Sequence, residues 1–312
     1  MPPGSGDNSQ QHWVATLQTI FAVLTGHFVL APTTQAGTHV HVSCEPAVLA
    51  TNGAGALAVV AKAALYFEPA LDALMPASRS SGGKDGGGSP YWCQSNRASV
   101  ALKGLSGGLE SCFALLDECY AAGAGGAEPI VRAMCLFPAS SAYGRAHGYK
   151  ADFVHGVYKW DFSGLLPDTG SGTLEYRQVS ENIGPCPTYA PPSRIVPAAT
   201  SWYQCPKLHM LTRPRTNQCP GSRTADEARA WVELGLCFVA GAIDTGHTLD
   251  PLAQQHRQQV CEGGNLMEDL WWMLCAGAQA AGVGELEGIR AMDFTGGSGG
   301  GAKGVKAKNE KK

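Results

Sequence analysis

The chain has no long apolar run, no paired-cysteine motif and no excess of either charge, and each absence removes a class of protein. Only 16% of its 312 residues are charged and the formal net charge is -3. So balanced a chain offers no broad electrostatic attraction to nucleic acid or to an anionic membrane. The most apolar early stretch, Leu17 to Ala31, is broken by His27 and lacks a basic segment before it. It is also too short to span a bilayer, so it is neither a signal peptide nor an anchor. The eleven cysteines are odd in number and none falls into a CxxC pair. That pattern points to reduced thiols and a cytoplasmic location rather than to a secreted disulfide framework. No HExxH or DxH motif is present to mark a zinc hydrolase, and no internal repeat is evident.

Glycine, by contrast, is abundant at 40 residues, with a 44% hydrophobic share. Much of the glycine lies in loops and tails, so the folded part is shorter than the chain. Residues 1–11 read as a flexible leader. Residues 12–295 read as one domain, and the Gly-rich then Lys-rich stretch 296–312 reads as a disordered tail. Within the domain, Trp13, Leu17, Ile20, Phe21 and Leu24 recur at helical spacing. Phe28 to Leu30 suits a short strand. Leu57 to Leu74 reads as a helix that Pro69 should kink or split, with Leu57, Ala61, Ala64, Leu65, Leu71 and Leu74 facing the core. Shorter helices are expected at Glu110–Ala121 and Pro129–Phe137. Thr224 followed by Glu227 forms a capping box and opens a helix through Trp231, Leu234, Phe238 and Ile243. Leu266 to Ala280 is a further helix.

Three stretches alternate with a period of two and so read as strands. They are Thr38-His39-Val40-His41-Val42-Ser43, Tyr158-Lys159-Trp160-Asp161-Phe162 and Thr173-Leu174-Glu175-Tyr176-Arg177-Gln178. In the first, Val40 and Val42 share one face and His39 and His41 the other. Two imidazoles on one strand face suit a metal or phosphate site, or a solvated sheet surface. In the third, Glu175 and Arg177 share a face. They can hold a cation and a phosphate side by side, or form an ion pair on a wet sheet. Arg79, Asn96 and Arg97 flank the Gly/Ser-rich loop Ser80–Ser89, where they can hold a substrate carboxylate or stabilise the loop. Glu68 lies in a largely apolar helix and reads as a paired structural carboxylate. Trp160 and Phe162 read as core residues, and His147 and His155 as ordinary loop residues.

A GxHxH strand, Gly37 to His41, followed far downstream by an ExR strand, Glu175 to Arg177, resembles glutamine synthetases and their carboxylate–amine ligase relatives. The chain is most similar to the amidoligase family. That resemblance covers most of Trp13 to Ile243. It runs through Tyr66-Phe-Glu-Pro-Ala-Leu-Asp-Ala-Leu74, Pro76 to Arg79, Ser95-Asn96-Arg97, Tyr158 to Phe162, Gly172 to Gln178, and Pro220-Gly221 leading into Ala230-Trp-Val-Glu233. It implies an α+β fold in which a curved antiparallel sheet, a glutamine synthetase-like half-barrel, carries helices on its outer face. It also implies ATP and Mg²⁺ as cofactors and a carboxylate activated as an acyl phosphate, then captured by an amine. The substrates would be small molecules or peptides bearing those groups. His39 and Glu175 would be the metal ligands, and His41 and Arg177 would contact the phosphoryl oxygens.

Two departures from the family follow. Its ligases place Glu-x-Glu on a strand before the GxHxH strand, whereas Asp7 is the only acidic residue here before His39. The expectation is an incomplete or inactive ligase domain. A nucleotide- or peptide-binding protein without chemistry is the main alternative. A zinc-dependent hydrolase built on His39 and His41 is the other, and it would require a third ligand and a general base. The segment Val179–Gln218, rich in Pro and Cys, also has no counterpart in the family. Joining Gln178 to Cys219 restores the family's Glu-Tyr-Arg-Gln-turn pattern. The segment therefore reads as an insertion or a translated intron.

Overall fold

A computed structural model describes residues 9–30, 38–43, 53–74, 93–122, 126–168, 170–177, 222, 224–246, 266–283, 286 and 289. Arg79, the Ser80–Ser89 loop, all of 178–221 and the tail from 296 lie outside the described residues.

The fold is α+β, with helices outweighing two small antiparallel sheets. The first helix, α1 (Ser9–His27), takes in the end of the expected leader. Strand β1 (Val40–Ser43) follows, then α2 (Gly53–Tyr66) and α3 (Glu68–Ala73). Pro69 sits in the first turn of α3, where its missing N–H costs nothing, so the expected single helix is divided at Phe67. Next come α4 (Val100–Lys103), α5 (Gly108–Ala122) and α6 (Glu128–Cys135), the last running directly into β2 (Leu136–Phe137). Helix α7 (Ala142–Ala146) leads to β3 (Phe153–Val154), which pairs with β2. Strands β4 (Trp160–Asp161) and β5 (Thr173–Tyr176) precede two long helices, α8 (Ala225–Asp244) and α9 (Leu266–Ala281). The N-cap half of the expected capping box is formed: Thr224 Oγ1 accepts from the Glu227 N–H at 3.1 Å.

One sheet gathers most of the residues singled out in the sequence. Its order is β1-β5-β4, all antiparallel, so the His39–His41 and Glu175–Arg177 stretches lie side by side. Register places Val40 opposite Tyr176, and Tyr176 opposite Trp160. Those side chains, with Val42 and Leu174, make one apolar face, onto which α8 packs. Trp160 stacks on Phe238 of α8 at 4.6 Å between ring centroids and leans on Tyr176 at 4.5 Å. Burying each such aromatic contributes about 1.5–3 kcal/mol. Gly235 keeps α8 close to the sheet, since a Cβ there would stand 2.8 Å from Val40 Cγ1.

Helix α2 is buried almost all round. Ala61, Ala63, Ala64 and Leu65 have essentially no exposure, and α5, α6 and α8 surround the helix. Its alanine-rich sequence combines high helix propensity with a thin profile that lets neighbours approach.

Two expectations are corrected. Phe28 to Leu30 is not a strand: it is irregular, Phe28 and Val29 are largely exposed, and no strand among the described residues pairs with it. The helix at Trp13–Thr25, expected to pack with the α8 helix on the sheet face of Val40, Val42, Leu174 and Tyr176, does not join that core. It packs on α8, and none of its residues joins the buried cluster.

Candidate functional site

The second face of the three-stranded sheet is polar. Alternation turns His39 and His41 of the β1 segment, Asp161 of β4, and Glu175 and Arg177 of the β5 segment away from the aromatic core. Register then aligns His41 with Glu175, and Glu175 with Asp161, in one row across the strands. Glu175 is the centre of this row and is 7% exposed. Its Oε1 contacts His39 Nδ1 and lies 3.7 Å from His41 Nε2. Its Oε2 accepts from Arg177 Nη2 at 2.6 Å, and Arg177 Nε reaches Oε1 at 3.2 Å. One carboxylate thus turns one oxygen toward two imidazoles and binds a guanidinium with both.

Arg177 is fixed from two further sides. Its Nη2 lies 3.3 Å from Asp161 Oδ2, and its Nη1 donates to the Gly156 carbonyl. Asp161 Oδ1 accepts from the Ser163 N–H at 2.8 Å. Gly156 is needed for this approach, because a Cβ there would collide with the Asp161 carboxylate. Two buried carboxylates around one guanidinium compensate a desolvation cost that neither would survive alone.

The His41 ring is oriented from behind. Its Nδ1 lies 3.2 Å from Thr173 Oγ1, which is 2.6 Å from Ser171 Oγ. With Nδ1 so placed, Nε2 faces Glu175. Burial and the Arg177 guanidinium hold the His41 imidazole below its ordinary pKa, with Asp161 pulling the other way. Ligand atoms of His39, His41 and Glu175 all lie within 4.8 Å of one another, close enough to share one cation.

The remaining residues expected near the site stand elsewhere or outside the described residues. Asn96 is 2% exposed and works as a peptide mimic. Its Oδ1 accepts from the Trp160 N–H at 3.1 Å while its Nδ2 donates to the carbonyls of Trp160 and Met134 at 2.8 and 3.1 Å. Every hydrogen-bonding atom of its amide group is thereby committed to backbone. Arg97 donates through Nη2 to the Leu65 carbonyl at 2.7 Å, closing the last turn of α2. Both side chains stabilise the scaffold. Arg79 lies outside the described residues.

Glu68 has the paired role its apolar setting requires. Its Oε1 meets the buried Lys159 Nζ at 3.0 Å, Asp72 meets the same nitrogen at 2.5 Å, and Ser95 Oγ donates to Glu68 Oε2 at 2.8 Å. Burial alone would lower the Lys159 ammonium, but the two carboxylates outweigh it and hold its pKa above the usual value.

Sequence reasoning passed over Asp161, Thr173 and Gly156. The signal for Asp161 was available, since it lies between Trp160 and Phe162 on an alternating strand and must face away from them. Nothing local pointed to Gly156, whose importance comes from a side chain five positions on.

No known protein family, curated protein or solved structure matches the chain.

The donor set is one carboxylate oxygen and two imidazole nitrogens. Mg²⁺ prefers oxygen and keeps much of its water, so these three residues alone do not fit that ion well. With Glu175 as a third ligand the set meets one requirement of a zinc site. The other requirement of a hydrolase, a free general base, is not met by Asp161, whose two oxygens are occupied by Arg177 and the Ser163 N–H.

Proposed function

We propose that the polar sheet face is a nucleotide-phosphate and divalent-cation site of the carboxylate–amine ligase kind. One observation carries this reading: Glu175 directs Oε1 toward His39 and His41 while its two oxygens also hold Arg177. A cation and a guanidinium placed on either side of one carboxylate can together neutralise a polyphosphate. Arg177 is held in place by Glu175, Asp161 and the Gly156 carbonyl, and it can offer directional donors to phosphoryl oxygens by exchanging carboxylate contacts for the ligand. Such a site fits activation of a carboxylate by ATP, giving an acyl phosphate that an amine then captures as an amide. Free carboxylates need that step, because hydroxide is a poor leaving group. The ligase reading also implies that the three strands belong to a larger curved sheet with α8 on its outer side.

The test is Mg·ATP binding by calorimetry to the full chain and to Arg177→Lys. Lysine keeps the charge and loses the fork, so affinity should fall about tenfold or more. The reading is overturned if the wild-type chain binds no Mg·ATP, or if the substitution leaves affinity unchanged.

A further inference from the structure

We propose that the same face holds a zinc-class transition ion through three protein ligands, His39 Nδ1, His41 Nε2 and Glu175 Oε1, with Mg²⁺ a poor competitor. This assigns His41 a metal instead of a phosphate, and it stands whether or not the ligase reading holds.

Three observations converge on it. The donor atoms already lie within 4.8 Å of one another, whereas a tetrahedral ion with bonds of about 2 Å needs them about 3.3 Å apart. His39 Nδ1 and Glu175 Oε1 already touch and must separate to admit an ion, while His41 Nε2 at 3.7 Å must draw in slightly, and side-chain rotations can do both. The donor chemistry is nitrogen-rich, and imidazole favours zinc, iron, nickel or copper over magnesium. The third observation is the support behind His41. Ligating histidines typically donate their other ring N–H to an oxygen acceptor, which fixes the tautomer. Thr173 Oγ1 stands at His41 Nδ1, and the Ser171 hydroxyl beside Thr173 can take the threonine proton. A neutral His41 donating from Nδ1 carries its lone pair on Nε2, directed toward Glu175. A histidine in that tautomer ligates a cation and cannot donate to a phosphate. On the far side of Glu175, Arg177 binds Oε2 at 2.6 Å and is itself held by Asp161, while its Nε makes only a longer contact, 3.2 Å, to the Oε1 that would meet the ion.

Cobalt(II) is the probe, because its absorption reports both geometry and ligand type. The full chain should bind one Co²⁺ with visible bands of a four- or five-coordinate site and no sulfur-to-cobalt charge-transfer band. Zn²⁺ should displace it, and a large excess of Mg²⁺ should not. His41→Ala should weaken binding about tenfold or more, and Thr173→Val, which keeps every ligand, should weaken it about tenfold through lost orientation. Circular dichroism on both variants shows whether they remain folded. A dominant sulfur band, displacement by Mg²⁺, or unchanged affinity in both folded variants overturns the proposal. Mg·ATP binding is measured separately. Nucleotide binding with Co²⁺ indifferent to His41 removes this inference alone, and Co²⁺ binding through His41 without nucleotide binding removes only the ligase reading.

Discussion

At the scale of single residues, the polar groups beneath the sheet divide into those that can meet a ligand and those spent on the fold. Asn96 belongs to the second kind. Asn96→Ala leaves the Trp160 N–H and the carbonyls of Trp160 and Met134 buried without this partner. The expected loss is about 3 kcal/mol, read as a lower urea midpoint, with metal affinity unchanged; a variant that kept its stability and lost ligand binding would return Asn96 to the site. His155 gives a pH dependence. It sits among Phe137, Tyr143 and Phe153, and burial lowers its pKa from 6.5 to about 4. A depressed histidine is neutral in the fold, while the unfolded chain takes up its proton from pH 6.5 downward. Stability is therefore fully present above pH 6.5, falls as the pH drops toward 4, and loses nothing more from this group below that. Allowing for solvent screening of a half-buried ring, about 1 kcal/mol should be lost between pH 7 and pH 5. His155→Phe should remove that part of the melting-temperature decline, and an unchanged decline would show that other groups cause it.

At the scale of elements, α8 and α9 cross through glycine. A Cβ on Gly277 would run into the Cys237 carbonyl, and one on Gly241 into the Met273 carbonyl. Backbone cannot retreat as a side chain can. Gly277→Ala should therefore cost more than about 2 kcal/mol in thermal or chemical denaturation despite its better helix propensity. Gly26 in α1 meets nothing within 4 Å, so Gly26→Ala should instead be neutral or add up to about 1 kcal/mol. If both substitutions behaved alike, close packing at the crossing would not be what sets the cost. This contrast also shows what a sequence can disclose. The three strands were legible because each alternates without interruption, and α8 because Thr224, Glu227 and its apolar period agree. The juxtaposition of His39, His41, Glu175 and Arg177 was legible through the strand period together with the family resemblance. The pairing of β2 with β3 was not, since Leu136 and Phe137 follow α6 without a break and read as its last turn. Phe28 to Leu30 misled because apolar content was read as strand where no strand among the described residues pairs with it. The glycine crossing and the Gly156 approach depend on residues brought together only by tertiary packing.

At the scale of the whole molecule, charge limits what the site can do. In the described cluster the carboxylates are Glu175 and Asp161, and Asp161 is committed to Arg177 and the Ser163 N–H. One available carboxylate can help to hold one divalent ion but not a second beside a triphosphate. The 312-residue chain should thus bind Mg·ATP with phosphate release far below about 1 s⁻¹, and ordinary turnover that Glu175→Ala abolishes would refute this. The same view of the molecule bears on the segment 179–218. Strand β5 delivers the chain to Arg177 beside the start of β1, with Tyr176 opposite Val40. On the far side of the segment, Ser222 Oγ lies 2.8 Å from Thr38 Oγ1, and the Ser222 N–H donates to the same hydroxyl at 3.3 Å. Arg177 and Ser222 therefore both abut the Thr38–Val40 stretch. With Gln178 joined to Cys219, four residues separate them, enough to reach roughly 16 Å when extended. Removing Val179–Gln218 should consequently leave the sheet, α8 and the cation site intact. The shortened chain is expected to melt within a few degrees of the full one and to bind Co²⁺ with the same affinity. A transcript lacking the segment would identify it as intron. Retention in every mature message, or collapse of the shortened protein, would instead make it a working part of the fold.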